Sequence, residues 1–434
     1  MKGFINAKVS LPREGVRRLS VGVEGGRIVY LGKDASVVTE PFPLKENEIV
    51  CPGFIDEHIH GAAGADAMDA DKEAIFTVAE ALKKEGTTSF LATTMTESAD
   101  DVCRALSAIK EAMDEQAAGN RAISGGAQAF GAAQNCGGVR AFAGAQNPCP
   151  SSPDKAAYSN ASGAQSQKNP GARILGVHLE GPFISEKHKG AQSAKYILSP
   201  GVPAFERFSA ASGNAVRLVT LAAEEDENFA LIRHLKNAGI CASVGHSDAG
   251  YDTFASAVEA GADAVTHTFN AQRGIHHRDI GVAGGALLTD SVYTELICDL
   301  IHVSAPAVRL LLKTKPKDKL ILITDAMRAK GLPDGVSELG GQTVYVKNGE
   351  ARLADGTLAG SVLQMNVAVK NLILRCGAAF SDAVDAASIN PAEHLGIAAD
   401  FGSIAIGKHA DFCVLDENFA VKLTVRGGEI IYRA

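Results

Sequence analysis

The sequence predicts an α/β protein, a (β/α)8 TIM-like barrel joined to a small β-sandwich domain that is built from both termini. Three observations lead to this prediction. Apolar strand-like runs alternate with amphipathic segments through the middle of the chain, short strand-like segments with paired glycines occur at both ends, and polar residues directly follow the apolar runs. A chain of 434 residues also has room for a barrel of about 250 residues and an accessory domain.

The two ends of the chain, residues 1–50 and 396–434, have the pattern of a small β domain. In both, apolar and polar residues alternate as in half-buried strands. Paired glycines separate two such runs in each end, namely Gly25 with Gly26 and Gly427 with Gly428. We therefore expect the termini to pair with each other into one β domain.

The middle of the chain, residues 51–395, follows a strand-then-helix order. The apolar runs are RILGVHLEG, AVRLVTLAA, ICASVGHSD, ADAVTHTFN, YTELICDLIH and KLILITDAM, and amphipathic segments follow several of them. Six or more such units favour a (β/α)8 barrel over a doubly wound sheet. No G-x-G-x-x-G follows a strand, which disfavours a dinucleotide-binding protein.

One segment, at about residues 117–172, interrupts this order. It is rich in Gly, Ala, Gln, Ser and Asn, contains the near-repeats GGAQAFGAAQN and RAFAGAQN, and has few large apolar residues with which to form a core. We interpret it as a low-complexity insertion exposed outside the barrel. It is either a linker without a function or a regulatory or partner-binding loop.

The overall composition excludes several classes of protein. A net charge of -8 and a pI near 5.9 argue against nucleic acid as the main partner. The eight cysteines form no C-x-x-C pair, so we expect reduced thiols and neither a disulfide framework nor a thiolate zinc site. The charged start of the chain is unlike a signal peptide, and no run reaches the roughly 18 apolar residues of a membrane-spanning helix. We expect a cytoplasmic protein.

Polar side chains lie at the carboxyl ends of the predicted strands, which are otherwise apolar. They are His58, His60, Glu180, His246, His267, His302 and Asp325. Because the carboxyl ends of barrel strands converge on the face where active sites of this architecture lie, we expect these side chains to meet there. Several polar groups at one mouth are costly to bury, and a divalent metal ion would satisfy them.

The H-x-H pair, His58 and His60, suits a metal site because residues i and i+2 of a strand point to the same side. Imidazoles with a carboxylate and no thiolate favour Zn²⁺, Fe²⁺ or Mn²⁺. With Glu180 able to bridge, five ligands have the capacity for two ions. Asp325 is then left to take a proton from a metal-activated water and to pass it to a leaving amine.

Motifs along the chain are similar to those of a known family. The string PGFIDEHIH at 52–60, with the terminal β module and GKHADFCVLD near the end, resembles the amidohydrolase superfamily. Six further strings resemble the N-acetylglucosamine-6-phosphate deacetylases in particular. They are HLEGPFIS (178–185), KGAQ (189–192), GHSDA (245–249), THTFNA (266–271), ITDAM (323–327) and LAGS (358–361).

The resemblance implies a homodimeric deacetylase that hydrolyses N-acetyl-D-glucosamine 6-phosphate to D-glucosamine 6-phosphate and acetate. It implies a metal site at Glu180, His246 and His267, a second ion held by His58 and His60, and Asp325 as the catalytic acid/base. The metal would be Zn²⁺, Fe²⁺ or Mn²⁺, with Zn²⁺ first and one or two ions per chain. Substrate contacts are implied for Ala191, Gln192, Asn270, Ala271, Arg278, Asp299, His302 (near the amide carbonyl), Leu358, Ala359 and Gly360.

Arg278 also makes sense without the resemblance. A guanidinium in a loop bounded by glycines suits a phosphate, and it supplies the local positive charge that an acidic protein needs to hold a sugar phosphate. Its neighbours His276 and His277 fit a phosphate loop or a solvent-facing position better than a metal site. Whether Arg278 serves its own site or that of a neighbouring subunit stays open.

The chain also departs from the family pattern, and alternatives remain. Gln192 stands where some members have a histidine, which leaves open how the sugar is held. The substrate is alternatively N-acetylgalactosamine 6-phosphate, or the chain is a cyclic amidase or a nucleobase deaminase of the same superfamily. A barrel that has lost its metal and acts as a scaffold predicts a broken ligand set, whereas every ligand position is filled here.

Five further histidines are not assigned to the metal. His178 fits a supporting or packing role beside Glu180. The contexts of the remaining four are those of surface residues, and these are His188, His234, His394 and His409.

Overall fold

The computed structural model describes residues 1–123 and 171–434, so most of the insertion predicted at 117–172 lies outside the described residues. The chain begins with five strands. They are β1 (Lys2–Leu11), β2 (Gly15–Glu24), β3 (Arg27–Gly32), β4 (Glu40–Pro41) and β5 (Ile49–Pro52). The predicted glycine pair forms the β2–β3 turn, where Gly25 and Gly26 both have positive φ, as a two-residue hairpin requires.

Strands and helices then alternate as the sequence predicts. The strands are β6 (Phe54–Ile59), β7 (Gly61–Ala62), β8 (Ala65–Asp66), β9 (Thr87–Thr94), β10 (Arg173–Glu180), β11 (Val216–Leu221), β12 (Cys241–Val244), β13 (Ala264–Val265), β14 (Tyr293–Ile297) and β15 (Leu320–Ile323). The helices are α1 (Lys72–Leu82), α2 (Ala99–Ile123), α3 (Val202–Ala211), α4 (Ala230–Ala238), α5 (Tyr251–Ala260), α6 (Gly281–Leu288) and α7 (Ala305–Thr314).

The remaining elements complete the barrel and return to the terminal sheet. They are β16 (Gly335–Leu339), β17 (Gln342–Lys347), β18 (Glu350–Arg352), α8 (Met365–Leu374), α9 (Phe380–Ala386), α10 (Ile389–His394), β19 (Phe412–Leu415), β20 (Val421–Arg426) and β21 (Glu429–Arg433). Strands β16 to β18 form a small antiparallel sheet. This sheet is a departure from the strand-then-helix order that the sequence predicts.

The barrel is an eight-stranded parallel sheet in the order β15-β14-β13-β12-β11-β10-β9-β6. Its two end strands meet where the Asp325 amide donates to the His58 carbonyl at 2.9 Å and the His60 amide donates to the Ala326 carbonyl at 2.9 Å. The predicted (β/α)8 barrel is therefore confirmed. Apolar side chains of the strands and surrounding helices, such as Phe90 and Phe254, are fully buried between the two layers.

Both chain ends contribute to a second, mixed sheet, in the order β21-β20-β19-β5-β1-β2-β3. Its core includes Phe4 and Phe412, whose rings pack edge to face at 5.4 Å. A β unit made from both termini is thus confirmed as part of the fold, with its strands in one hydrogen-bonded sheet. Strand β5 runs to Pro52, past the boundary predicted at residue 50, and the other predicted boundaries stay predictions.

In the two described parts of the chain, no helix is long and apolar enough to cross a membrane.

Candidate active site

Six of the seven strand-end side chains meet at the carboxyl end of the barrel. His58 lies in β6 and His60 follows it, Glu180 ends β10, and His246, His267 and Asp325 each come two residues after a strand. We call these six residues the carboxyl-end cluster. All six are buried, and their side chains contact one another, so the strand order predicted from the sequence brings them to one place.

Three of these residues sit on unusual backbone. His246, His267 and Asp325 have φ values of 48°, 28° and 47°, in the left-handed region that non-glycine residues rarely adopt. Such conformations cost about 1–3 kcal/mol each and persist where the surrounding structure holds them. Their concentration at the carboxyl ends of β12, β13 and β15 indicates that the position of these side chains matters more than local stability.

The Glu180 carboxylate lies at the centre of the cluster. Its Oε1 atom is 3.1 Å from the Nε2 atoms of both His246 and His267, and 3.4 Å from Nε2 of His58. Its Oε2 atom is 3.3 Å from Nε2 of His60. One carboxylate therefore touches four imidazoles, which is the arrangement expected of a bridging ligand.

The other ring nitrogen of each imidazole has an acceptor of its own. Each Nδ1–H can donate to an oxygen, which leaves the Nε2 lone pair for the centre of the cluster. The acceptors are the His188 carbonyl for His246 (2.8 Å), the Asn270 carbonyl for His267 (3.1 Å), the Thr93 carbonyl for His60 (3.2 Å) and the Glu295 carboxylate for His58 (3.0 Å).

These donors fit a divalent cation. With Nδ1–H engaged, Nε2 of His246 and Nε2 of His267 direct lone pairs at each other across 3.1 Å and at the same Glu180 oxygen. Nε2 of His58 is buried and has no hydrogen-bond partner among the described residues. A cation bound between these atoms removes the repulsion, and imidazole with carboxylate is a donor set for Zn²⁺, Fe²⁺ or Mn²⁺.

The electrostatics of the cluster follow from burial and mutual pairing. Burial lowers the pKa of His60, but its hydrogen bonds to Asp325 and Glu180 outweigh this and raise it to about 10. Burial raises the pKa of Glu180, yet the charge of His58 and bonds from His246 and His267 hold it well below its usual range. The carboxylates are thus ionised in the cluster.

Asp325 lies at the edge of the cluster. Its Oδ1 atom is 3.1 Å from Nε2 of His60 and 3.5 Å from Nε2 of His58. Burial raises its pKa, but the neighbouring charge of His58 and the hydrogen bond from His60 lower it overall. The side chain is 12 % exposed, against 3 % for Glu180, so Asp325 faces the open side of the cluster.

Glu295, in the middle of β14, is a member of this site that the strand-end pattern does not predict. Its Oε2 atom accepts from His58 Nδ1 at 3.0 Å and from the His267 backbone amide at 3.1 Å, and the side chain is fully buried. The prediction that polar groups occur only at strand ends is therefore wrong. The signal was a glutamate inside the apolar run YTELI, which only a specific partner would stabilise there.

His178 and His394 also lie inside the structure. His178 packs against His58 at 4.4 Å between ring centres, and its Nε2 pairs with the Thr220 hydroxyl at 2.8 Å. His394, expected at the surface, is instead buried, with Nδ1 at 2.9 Å from a Glu57 oxygen. That expectation is wrong because helix α10 packs under the barrel, which its short sequence does not reveal.

Gln192 connects directly to the cluster. Its amide nitrogen donates to Oε2 of Glu180 at 2.8 Å, and its amide oxygen accepts the backbone N–H of Thr96 at 2.6 Å. The neighbouring Ala191 is buried, and its carbonyl accepts from the Gln342 side chain. The glutamine that departs from the family pattern thus positions the central carboxylate.

Other predicted substrate residues surround the same mouth. Asn270 and Ala271 follow His267, and Ala271 has φ 47°. The loop Leu358–Gly360 is tied to the end of β15, since the next residue donates its amide to the Asp325 carbonyl at 2.8 Å. Asp299 and His302, which follow β14, are joined by a 2.6 Å bond between Oδ2 and Nδ1.

Arg278 has a different setting. It is exposed and lies in a surface depression that is also lined by Glu224, Asp248, Arg273 and Asp279. Arg273 forms ion pairs with both Asp248 and Asp279, so these two carboxylates neutralise its positive charge. The guanidinium of Arg278 is the exposed positive group of this depression.

Comparisons with known proteins are consistent with this geometry. A family model described as the amidohydrolase family matches residues 49–431. The N-acetylglucosamine-6-phosphate deacetylase of Bacillus subtilis (strain 168) is 37% identical over 414 residues, which cover 95% of this chain and 92% of that protein. The N-acetylgalactosamine-6-phosphate deacetylase of Escherichia coli O157:H7 is 32% identical over 387 residues, covering 88% and 89%.

A solved structure has the same fold. The crystal structure of N-acetylglucosamine-6-phosphate deacetylase from Thermotoga maritima matches with a TM-score of 0.80 and 31% identity, over 100% of both chains. The family match runs from β5 to β21 and includes all six residues of the carboxyl-end cluster. The chain therefore belongs to the amidohydrolase family of hydrolases.

Proposed function

We propose that the protein hydrolyses the N-acetyl group of N-acetyl-D-glucosamine 6-phosphate to give D-glucosamine 6-phosphate and acetate. The observation that carries the proposal is the carboxyl-end cluster itself, in which four imidazoles surround Glu180 and Asp325 lies at the open edge. The extensive similarity to deacetylases of this substrate supports the choice of amide.

Glu180, His246 and His267 would hold one divalent ion, and His58 and His60 would complete a second site with the same carboxylate. We propose Zn²⁺ as the metal, with Fe²⁺ and Mn²⁺ compatible with the same donors. Such an ion lowers the pKa of a bound water toward about 7 and polarises an amide carbonyl.

Asp325 is proposed to move the proton. Its ionised carboxylate takes a proton from the attacking water as the water oxygen bonds to the acetyl carbon. The same group then gives that proton to the sugar nitrogen as the carbon–nitrogen bond breaks, so that acetate and a free amine leave. A lowered pKa suits the first of these roles, because the group must be unprotonated when water attacks.

The amide carbonyl is proposed to be held by His302. Asp299 accepts the Nδ1–H of this ring at 2.6 Å and so fixes its orientation. A ring held in this way, when it carries hydrogen on Nε2, donates a hydrogen bond from that atom to the carbonyl oxygen as negative charge develops there.

Backbone groups and small side chains are proposed to contact the sugar. These are Ala191, Asn270, Ala271 and the loop Leu358–Gly360, with Gln192 beside Glu180. The backbone amides and carbonyls of these segments offer hydrogen-bond groups, which suits a substrate with several hydroxyls.

The phosphate is proposed to bind Arg278. In a homodimer, which the resemblance implies, this exposed guanidinium serves either its own site or the partner's. We also propose a cytoplasmic location, in keeping with the free thiols of the six cysteines in the described residues.

The galactosamine epimer is a second candidate substrate, because a deacetylase of that sugar phosphate is 32% identical to this chain. The two sugars differ at one hydroxyl, so a few contacts decide between them.

The decisive experiment measures acetate release by purified protein from both 6-phosphate epimers, with bound metal counted in the same sample. We expect turnover with the gluco epimer and about two metal ions per chain at the carboxyl-end cluster. Turnover restricted to the galacto epimer would replace the substrate within the same reaction. No turnover with either epimer, despite a filled metal site, would contradict the proposed function.

A further inference from the structure

A second group of metal-type side chains lies at the opposite end of the same barrel strands. Cys241 is the first residue of β12 and Asp263 directly precedes β13, whereas His246 and His267 follow the carboxyl ends of these strands. At about 3.3 Å per residue, the segment from Cys241 to His246 spans roughly 16 Å. The new group is therefore separate from the carboxyl-end cluster.

His394, at the end of α10, completes this group, which we call the amino-end cluster (Cys241, Asp263 and His394). One ligand atom from each of the three lies within 4.8 Å of the others. The Nε2 atom of His394 is 3.5 Å from Oδ1 of Asp263, and Sγ of Cys241 donates to the His394 carbonyl at 3.1 Å. The ligand atoms of a thiol, an imidazole and a carboxylate thus lie close together.

The imidazole of His394 is held as a metal ligand would be. Its Nδ1–H donates to the Glu57 carboxylate at 2.9 Å, and the Tyr293 ring packs against it with centres 4.8 Å apart. A carboxylate on one nitrogen of a histidine orients the other nitrogen toward a metal in many proteins. The ring therefore has one possible direction for Nε2, toward Cys241 and Asp263.

The Nε2 atom of His394 is a buried polar atom that lacks a hydrogen-bond partner among the described residues. The side chain is 0% exposed. A buried polar atom left unpaired costs about 1–3 kcal/mol, so such atoms call for a partner. A cation would supply it.

We propose that the amino-end cluster binds Zn²⁺, with Cys241, Asp263 and His394 as ligands and water in the fourth position. Thiolate, imidazole and carboxylate are all zinc ligands, and thiolate disfavours Ca²⁺ and Mg²⁺. The Asp263 side chain is 42% exposed, which gives the ion a route from solvent. On binding, the Cys241 thiol releases its proton to solvent, as does Nε2 where the ring carries one.

The competing arrangement contains no metal. In it, a protonated His394 ring lies between the carboxylates of Glu57 and Asp263, and Cys241 is merely a neighbour. The distance of 3.5 Å to Asp263 is longer than a normal hydrogen bond between such groups, which disfavours this arrangement.

Cobalt substitution separates the two arrangements. Co²⁺ bound by a thiolate absorbs in the near ultraviolet by charge transfer, and the carboxyl-end cluster contains no thiolate. Metal-free protein reloaded with Co²⁺ should therefore show this absorption. It should disappear in Cys241→Ser and in His394→Gln, with about one cobalt ion per chain fewer, while deacetylation by Cys241→Ser stays within about twofold of wild type.

Two controls test the cysteine that is partly exposed and the two that lie outside the described residues. Cys103→Ser changes a partly exposed cysteine on α2 and should keep the absorption. Cys136→Ser combined with Cys149→Ser tests the two cysteines outside the described residues and should also keep it. If Cys241→Ser does not fold, Asp263→Asn changes a partly exposed ligand instead and should weaken cobalt binding at this site.

Three results would overturn the proposal. The first is that wild type shows no thiolate absorption although its carboxyl-end cluster is loaded with cobalt. The second is that the absorption survives in Cys241→Ser. The third is that the absorption depends on Cys136 and Cys149. Each would favour the metal-free arrangement. None of them bears on acetate release, so failure here is distinguishable from failure of the proposed function.

Discussion

The two ends of the barrel hold similar polar side chains in different ways. At the carboxyl end, polar groups of one cluster crowd around Glu180, and three of them sit on left-handed backbone. At the amino end, polar groups form a smaller set, such as Cys241 with Asp263 and His394. The difference indicates that the carboxyl end is built for reaction, at a cost in backbone strain, while the amino end supports the fold.

The largest expected effect comes from Asp325→Asn. The amide cannot accept the proton of water, so we expect kcat/KM for acetate release to fall by about 10²–10⁴-fold. Asp263→Asn, the same change at the amino end, is the matched control and should stay within about twofold. A decrease below about tenfold in Asp325→Asn would contradict the proton-transfer role and the contrast between the two ends.

Lys330→Met should affect stability rather than reaction. Lys330 and Glu85 are both buried, and removing one member of a buried ion pair costs about 3–5 kcal/mol in the free energy of unfolding. Urea unfolding at pH 8 measures this. Burial raises the Glu85 pKa to about 7 in spite of Lys330, so the cost should shrink as the pH falls below about 7 and the carboxyl becomes neutral.

The matched control for this change is Lys317→Met. Lys317 pairs with Asp382 at 2.6 Å but is 75% exposed, so its loss should cost below about 1 kcal/mol. Equal effects of the two substitutions would mean that the Lys330 pair is no more important than a surface contact.

Glu295→Gln tests the support of the carboxyl-end cluster. The amide is a weaker acceptor for His58 Nδ1–H, so we expect metal affinity at this end to fall by about 10–100-fold. Glu57→Gln is the corresponding change beside His394 and should spare the carboxyl-end ions. Metal titration of both variants gives the comparison, and unchanged affinity in Glu295→Gln would show that His58 needs no carboxylate.

The smallest effect is expected for Gln192→Ala. It leaves the buried Thr96 N–H without its acceptor and frees one Glu180 oxygen, so we expect kcat/KM to fall by about tenfold. Gln116→Ala is the control, because this buried glutamine also makes two hydrogen bonds, both of them to backbone groups, but lies on α2. If Gln192→Ala and Gln116→Ala lose the same amount of activity, the role of Gln192 is structural only.

Much of the carboxyl-end cluster could be predicted from the sequence. His58, Glu180, His246, His267 and Asp325 each lie in a barrel strand or within two residues of its carboxyl end, and the parallel barrel brings those ends together. The geometry of the site thus follows from local order along the chain. The roles of these residues remain proposals.

Other features depend on packing that no local pattern encodes. Glu295 lies inside the apolar strand β14, and its partner His58 comes from β6, the first barrel strand in the chain. His394 is buried because α10 packs against β6, not because of the residues around it in sequence. The small β16–β18 sheet likewise interrupts the predicted order.

The sequence by itself determined the barrel, the β unit from both termini and the set of strand-end polar residues, because strand periodicity and motif order are local properties. Only the tertiary structure brought Cys241 and His394 together across 153 residues of chain, and added Asp263 from another strand. Because the chain has no C-x-x-C motif, its sequence predicts no thiolate zinc site. Residue spacing, however, reports only on ligands that are neighbours in sequence. Closure of the barrel and the packing of α10 beneath it bring Cys241, Asp263 and His394 together in space.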